Sequence, residues 1–132
     1  MLDPSATIRE VSNLLESAPD GASVRLRPGR YSVSFHLTRS LALVSDGEPG
    51  SAWIDVEDDS AVIVSGGECR VFGLRLTSRR QASDMAARFH PGAVEIEEGS
   101  LLLEECVIQG WSNGVVAKGP DSRLVMQRSE VR

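Results

Sequence analysis

Apolar residues in this chain change period early, from helical to alternating, and the alternation then runs to the last residues. Ile8, Val11, Leu14 and Leu15 fall on one face at helical spacing. Asp3, Ser5 and Thr7 offer N-caps, Thr7-Ile8-Arg9-Glu10 fits a capping box, and Pro19-Asp20-Gly21 stops the element. The pattern predicts an amphipathic helix from about Pro4 to Ser17, with an apolar face that needs something to cover.

After Gly21 the apolar residues come as doublets separated by one residue, with Gly or Pro in most of the gaps. The doublets are Val24/Leu26, Tyr31/Val33, Leu41/Leu43, Ile54/Val56, Val62/Val64, Cys69/Val71 and Leu74/Leu76. They continue with Val94/Ile96, Leu101/Leu103, Cys106/Ile108, Val115/Ala117, Leu124/Met126 and Ser129/Val131. Each predicts a strand about three residues long whose doublet faces the core and whose middle residue faces out.

Strands that short gain stability only by repetition, and they do repeat. Leu101-x-Leu103-x-x-Cys106-x-Ile108 is matched 23 residues later by Leu124-x-Met126-x-x-Ser129-x-Val131, and Cys69-x-Val71-x-x-Leu74-x-Leu76 has the same internal spacing. Turns at Gly66-Gly67, Gly99 and Gly119 separate the copies. Sorted by place in the repeat, the doublets make three stacked sheets. The first takes Val24/Leu26, Ile54/Val56, Leu74/Leu76, Cys106/Ile108 and Ser129/Val131. The second takes Tyr31/Val33, Val62/Val64, Val94/Ile96 and Val115/Ala117. The third takes Leu41/Leu43, Cys69/Val71, Leu101/Leu103 and Leu124/Met126.

Two stretches carry a family resemblance. Asp20-Gly21-Ala22-x-Val24-x-Leu26-x-Pro28-Gly29-x-Tyr31 resembles the opening of pectate-lyase-like right-handed parallel β-helix proteins, and Leu101 to Gly110 resembles their repeating coil. The resemblance covers most of the chain from Thr7 onward. It implies an all-β fold: a right-handed parallel β-helix of about four to five coils with an N-terminal capping α-helix. Residues 1–21 would form the cap, 22–132 the coils of a single domain, and 77–92 an insertion. Such folds carry lyases, hydrolases, epimerases, phage spikes and non-catalytic domains, so the resemblance does not choose an activity. In bacterial relatives this opening often heads a longer protein, and this chain is expected to be part of one.

Composition narrows the partners. The 132 residues carry 14 basic and 19 acidic side chains, a formal charge of −5, which argues against nucleic acid. Lys118 is the only lysine, a skew that suggests a GC-rich bacterial genome. The start lacks the basic and apolar regions of a secretory signal, and no apolar run approaches a membrane span, so a cytoplasmic setting without membrane contact is the default. Cys69 and Cys106 make neither a disulfide framework nor a metal site, and both are expected to be buried and reduced, in different sheets two coils apart.

Candidate chemistry is sparse; no catalytic residue, cofactor or metal is expected. An outward row of the first sheet reads Arg25, Asp55, Arg75, Val107 and Glu130. Its Arg–Asp–Arg run would grip an acidic sugar or, more plainly, form a charge ladder between coils. Trp111 is a further carbohydrate-facing candidate that would serve equally well to pack over a turn. Asp55, Glu57, Asp58 and Asp59 raise calcium, but a solvated turn accounts for them more simply. In the insertion, His90 lies near Asp84 and Arg88 without a visible nucleophile. Outward apolar residues are the more telling feature: Leu102 and Val125 follow Ala42 and Arg70 in the third sheet, and Ile63 and Val116 lie in the second. Side by side across strands, they point to a covered face. A non-catalytic scaffold or protein-interaction domain, self-associating or meeting neighbouring domains, follows as the expectation. A carbohydrate-binding or polysaccharide-cleaving domain is the alternative.

Overall fold

The computed structural model describes residues 2–57, 60–79, 93–109, 115–117, 119 and 122–131. The chain is mostly β, with one N-terminal helix, α1 (Ile8–Ser17), followed by short strands in three parallel sheets. The third sheet holds β1 (Ser23–Leu26), β4 (Ala42–Ser45), β7 (Glu68–Phe72), β10 (Ser100–Glu104) and β13 (Arg123–Gln127). The first holds β2 (Gly29–Tyr31), β5 (Ala52–Glu57), β8 (Leu74–Arg79), β11 (Val107–Gln109) and β14 (Glu130–Val131). The second holds β3 (Phe35–Leu37), β6 (Val62–Val64), β9 (Val94–Ile96) and β12 (Val115–Ala117). The chain therefore visits third, first and second sheet in fixed rotation four times, then starts again with β13 and β14.

Three parallel sheets reached in rotation enclose one core. Its fully buried members are the inward residues of successive strands, among them Leu26, Leu43, Ile54, Leu76, Ile96, Leu103 and Ile108. Between the second and third sheets, Gly67 (φ +78°) and Gly99 (φ +95°) turn the chain at stacked corners. A β-carbon on Gly99 would lie 2.6 Å from the Gly67 carbonyl oxygen, so these corners touch backbone to backbone. In its last three passes the corner between third and first sheets uses a left-handed residue each time: Gly73, then Glu105 (φ +53°), then Arg128 (φ +48°). Arg128 there forms ion pairs with Glu104 and Glu105.

Most of the third sheet has the expected register: Leu43 pairs with Val71, Leu101 with Cys69, and Leu103 with both Val71 and Met126. The first round departs from it. Val24 pairs with Leu43, which puts Val24/Leu26 in the third sheet. Tyr31 pairs with Ile54 in the first, and the second sheet opens instead with Phe35/Leu37. The cause is a round of only 19 residues, from Ser23 to its neighbour Ala42, with Arg27-Pro28 alone between β1 and β2. A second correction is a two-residue slip: Ile54 pairs with Leu76 rather than Leu74, and Ala52 faces Leu74. A shift of two leaves the inward and outward sets unchanged, so alternation cannot detect it. It also carries β8 through Thr77, Ser78 and Arg79, which belong to the strand and not to the insertion. Residues 80–92 lie outside the described residues.

Helix α1 begins later than about Pro4. Thr7 is the N-cap, its hydroxyl accepting from the Glu10 N–H at 3.2 Å. Val11 and Leu15 are buried in the core and Leu14 packs against it half-buried, whereas Ile8 is 62% exposed. The apolar face is thus narrower than its spacing implies. Leu2 adds a parallel bridge to Leu26 of β1, and the Tyr31 hydroxyl lies 2.8 Å from the carbonyl oxygens of both Leu2 and Arg27. Among the described residues, no helix is long and apolar enough to cross a membrane.

Candidate functional site

Outward residues of the first sheet stack in rows, one from each strand. The register sets Arg30 of β2 beside Trp53 of β5, then Arg75 of β8, Val107 of β11 and Glu130 of β14. Neighbouring strands lie about 4.8 Å apart, so long side chains along a row must stack. They do: the Arg75 guanidinium lies 4.3 Å from the Trp53 ring centroid and that of Arg30 5.3 Å from it.

The adjoining row sets Asp55 of β5 beside Thr77 of β8. The two rows are tied together by polar contacts. Trp53 Nε1 donates to Thr77 Oγ1 at 2.8 Å, and Thr77 Oγ1 donates to Asp55 Oδ1 at 2.6 Å. The other carboxylate oxygen, Oδ2, lies 2.6 Å from an Arg30 nitrogen. Although Asp55 faces away from the core, its side chain is wholly shielded, while that of Arg30 is 52% exposed. The relay fixes the indole: its N–H is anchored through Thr77 to a buried carboxylate, and its ring lies between two cations.

The expected Arg25–Asp55–Arg75 row does not form. Arg25 is in the third sheet, paired with Val44 and 3.5 Å from Asp46, and Asp55 is one row away from Arg75. Both errors come from the short first round and the two-residue slip. Arg75, Val107 and Glu130 do share a row. Trp53, Arg30 and Thr77 are the residues that sequence reasoning missed. Parity would have found Arg30, since Tyr31 faces the core and its predecessor must face out.

The apolar candidates separate into two places. Leu102 and Val125 are direct neighbours on the third sheet, in the row Ser23, Ala42, Arg70, Leu102, Val125. Val125 is 51% exposed and Leu102 half-buried, beside a shallow groove also lined by Val44, Phe72 and Glu104. Ile63 and Val116 lie on the second sheet with Glu95 between them, and Ile63 and Glu95 are already buried.

Cys69 and Cys106 are free and buried, on successive rounds rather than two apart. Burial pushes both thiols above the ordinary cysteine range, with the carboxylates of Asp20 near Cys69 and Glu104 near Cys106 adding to it. The Cys106 thiol lies 3.3 Å from the Val71 carbonyl oxygen, an internal acceptor for its proton. Trp111, Asp58, Asp59, Asp84, Arg88 and His90 lie outside the described residues. Asp55 and Glu57 both face outward from β5, but Asp55 is committed to Arg30 and Thr77. Among the described residues, no group of three His, Cys, Asp or Glu side chains is placed to hold a metal ion.

No family model matches this chain, and no curated protein or solved structure matches it either.

Proposed function

We propose that this chain is a non-catalytic scaffold domain, built as a right-handed parallel β-helix of the pectate-lyase-like kind, that assembles through its edge strands β13 and β14. Rotation through three parallel sheets supports the β-helix reading, and crossovers between parallel strands are right-handed in about 98% of cases. The observation that carries the assembly reading is a contrast in burial along the stack. Leu101, Leu103 and Ile108 are at most 1% exposed, but Leu124, Met126 and Val131, which pair directly with them, are not buried, and Val131 is 46% exposed. At the opposite end, α1 and Leu2 cover the first strands.

Among the described residues, β13 and β14 are thus the edge strands of their sheets, and their core side chains are no better than half covered. Such an edge recruits another strand. A second copy supplies an identical edge, and a two-fold pairing closes on itself. A neighbouring domain of a parent protein would cover the same surface. Sedimentation velocity over a wide concentration range tests the proposal. Reversible self-association, weakened by Val131→Lys, is the expected result. A strictly monomeric chain at millimolar concentration would overturn it.

A further inference from the structure

The cover that α1 and Leu2 give to β1 stops halfway along the strand. In a paired strand the main-chain groups of alternate residues point to opposite sides. Ala42 N–H donates to the Ala22 carbonyl and Asp46 N–H to that of Leu26, so Ala22, Val24 and Leu26 turn their main-chain groups toward β4. The residues between them face the other side, where Leu2 N–H donates to the Arg25 carbonyl and Arg27 N–H to that of Leu2. That single bridge leaves Arg25 N–H and both main-chain groups of Ser23 without a partner among the described residues. Ser23 and Arg25 line a groove of about 490 Å³ between β1 and the C-terminal half of α1. Its other walls include the apolar side chains of Leu14, Ala18, Ala22 and Val24. Leu14 is the half-buried member of the helix's apolar face, so the groove is where that face is left unfinished.

We propose that this groove is a peptide-docking site, in which an extended segment of a partner protein adds a strand to β1 and buries an apolar side chain against Leu14 and Val24. The occupant's chemistry follows from the two kinds of wall. Main-chain donors and acceptors at strand spacing call for extended backbone, and the apolar wall calls for an aliphatic side chain. An edge strand beside a helix is a recurring geometry for taking up a peptide, with main-chain bonds giving affinity and the groove giving specificity. Leu2 shows the mode within the chain. It pairs with the same edge through two main-chain bonds, of 2.8 and 2.9 Å, and its side chain is buried. The groove continues that contact in line along β1. Arg25, the charged residue on its rim, is already paired with Asp46 at 3.5 Å, so a neutral segment fits. The site lies at the opposite end of the stack from β13 and β14 and does not depend on assembly there.

The test titrates the full chain, labelled with nitrogen-15, with the peptide acetyl-Ser-Val-Thr-Val-Ser-amide and follows the amide resonances of the protein. Saturable shifts confined to residues 14–25 are expected, with a Kd on the order of a millimolar for so short a peptide. The same peptide N-methylated at both valines keeps its apolar side chains but loses their main-chain donors, and it should bind at least about fivefold more weakly. Ser23→Pro removes a donor that the fold does not use and should weaken binding severalfold. Ser17→Trp fills the groove from an exposed position on α1 and should abolish the shifts, which keeps the test decisive if the proline variant unfolds. No saturable shift at tens of millimolar peptide would overturn the proposal, as would equal binding of the methylated peptide or unchanged binding by both variants. Shifts confined to residues 123–131 would place the peptide on β13 and β14. That result would overturn the groove and leave the assembly reading standing.

Discussion

The Asp55 carboxylate faces away from the core, yet it is shielded from solvent and held 2.6 Å from the guanidinium of Arg30 on the neighbouring strand. Removing the cation from a shielded carboxylate costs more than the pair contributes. Arg30→Ala should therefore destabilise by about 1–3 kcal/mol, the lower part of the range reflecting the half-exposed guanidinium. Adding Asp55→Asn should restore part of the loss. Urea denaturation of the two single variants and the double variant measures this coupling. Strict additivity would show that Asp55 does not depend on Arg30.

Two glycines separate backbone conformation from crowding. Gly21 (φ +86°) faces open space, whereas a β-carbon on Gly67 (φ +78°) would lie 2.4 Å from the Ser40 nitrogen. Gly21→Ala should cost about 1–2 kcal/mol, the ordinary penalty of a left-handed non-glycine residue. Gly67→Ala should cost several kcal/mol or prevent folding, because it must also move a neighbouring backbone. Thermal melts of both variants decide the point, and similar losses would mean that the stacked corner yields easily.

Tyr31 is buried, and its hydroxyl is held near the Leu2 and Arg27 carbonyl oxygens. Burial first, and the Asp3 charge second, push its pKa up to about 12. A pKa raised from 10 in the unfolded chain to about 12 in the folded one means that the neutral phenol favours folding. That contribution, about 2–3 kcal/mol, is complete below pH 10 and fades as pH rises from 10 toward 12. Tyr31 is the only tyrosine, so near-ultraviolet absorbance follows its ionisation directly. Tyr31→Phe should remove this part of the alkaline loss of stability while costing about 1 kcal/mol near neutrality through the lost hydrogen bond. Ionisation at the ordinary phenol value in the folded chain would contradict the burial.

Along α1 the apolar residues should differ sharply in weight. Leu15→Ala should cost about 2–4 kcal/mol, since the side chain is buried against the core, whereas Ile8→Ala should change stability by less than about 0.5 kcal/mol. Denaturant midpoints of the two variants check this. A large loss from Ile8→Ala would mean that something covers it in solution.

The alternation of the chain was enough to determine that it forms short stacked strands, most of the residues that face inward though not Phe35/Leu37 or Ala52, and the register of the third sheet from Leu41/Leu43 to Leu124/Met126. These properties have period two and recur, so each copy reinforces the next. The sequence was also sufficient for the end of the helix at Pro19 and for burial of both cysteines. Three things were decided only in three dimensions. The 19-residue first round moved Val24/Leu26 and Tyr31 to other sheets, because round length follows from how tightly Arg27-Pro28 turns and not from any apolar pattern. A two-residue slip between β5 and β8 set Trp53, not Asp55, against Arg75, and parity is blind to even shifts. The shielding of Asp55 came from Arg30, Thr77 and the packing around them, neighbours distant in sequence that an outward position alone does not reveal. Which side chains line up along a sheet is a property of register across strands, and register is settled by the packing of the whole stack.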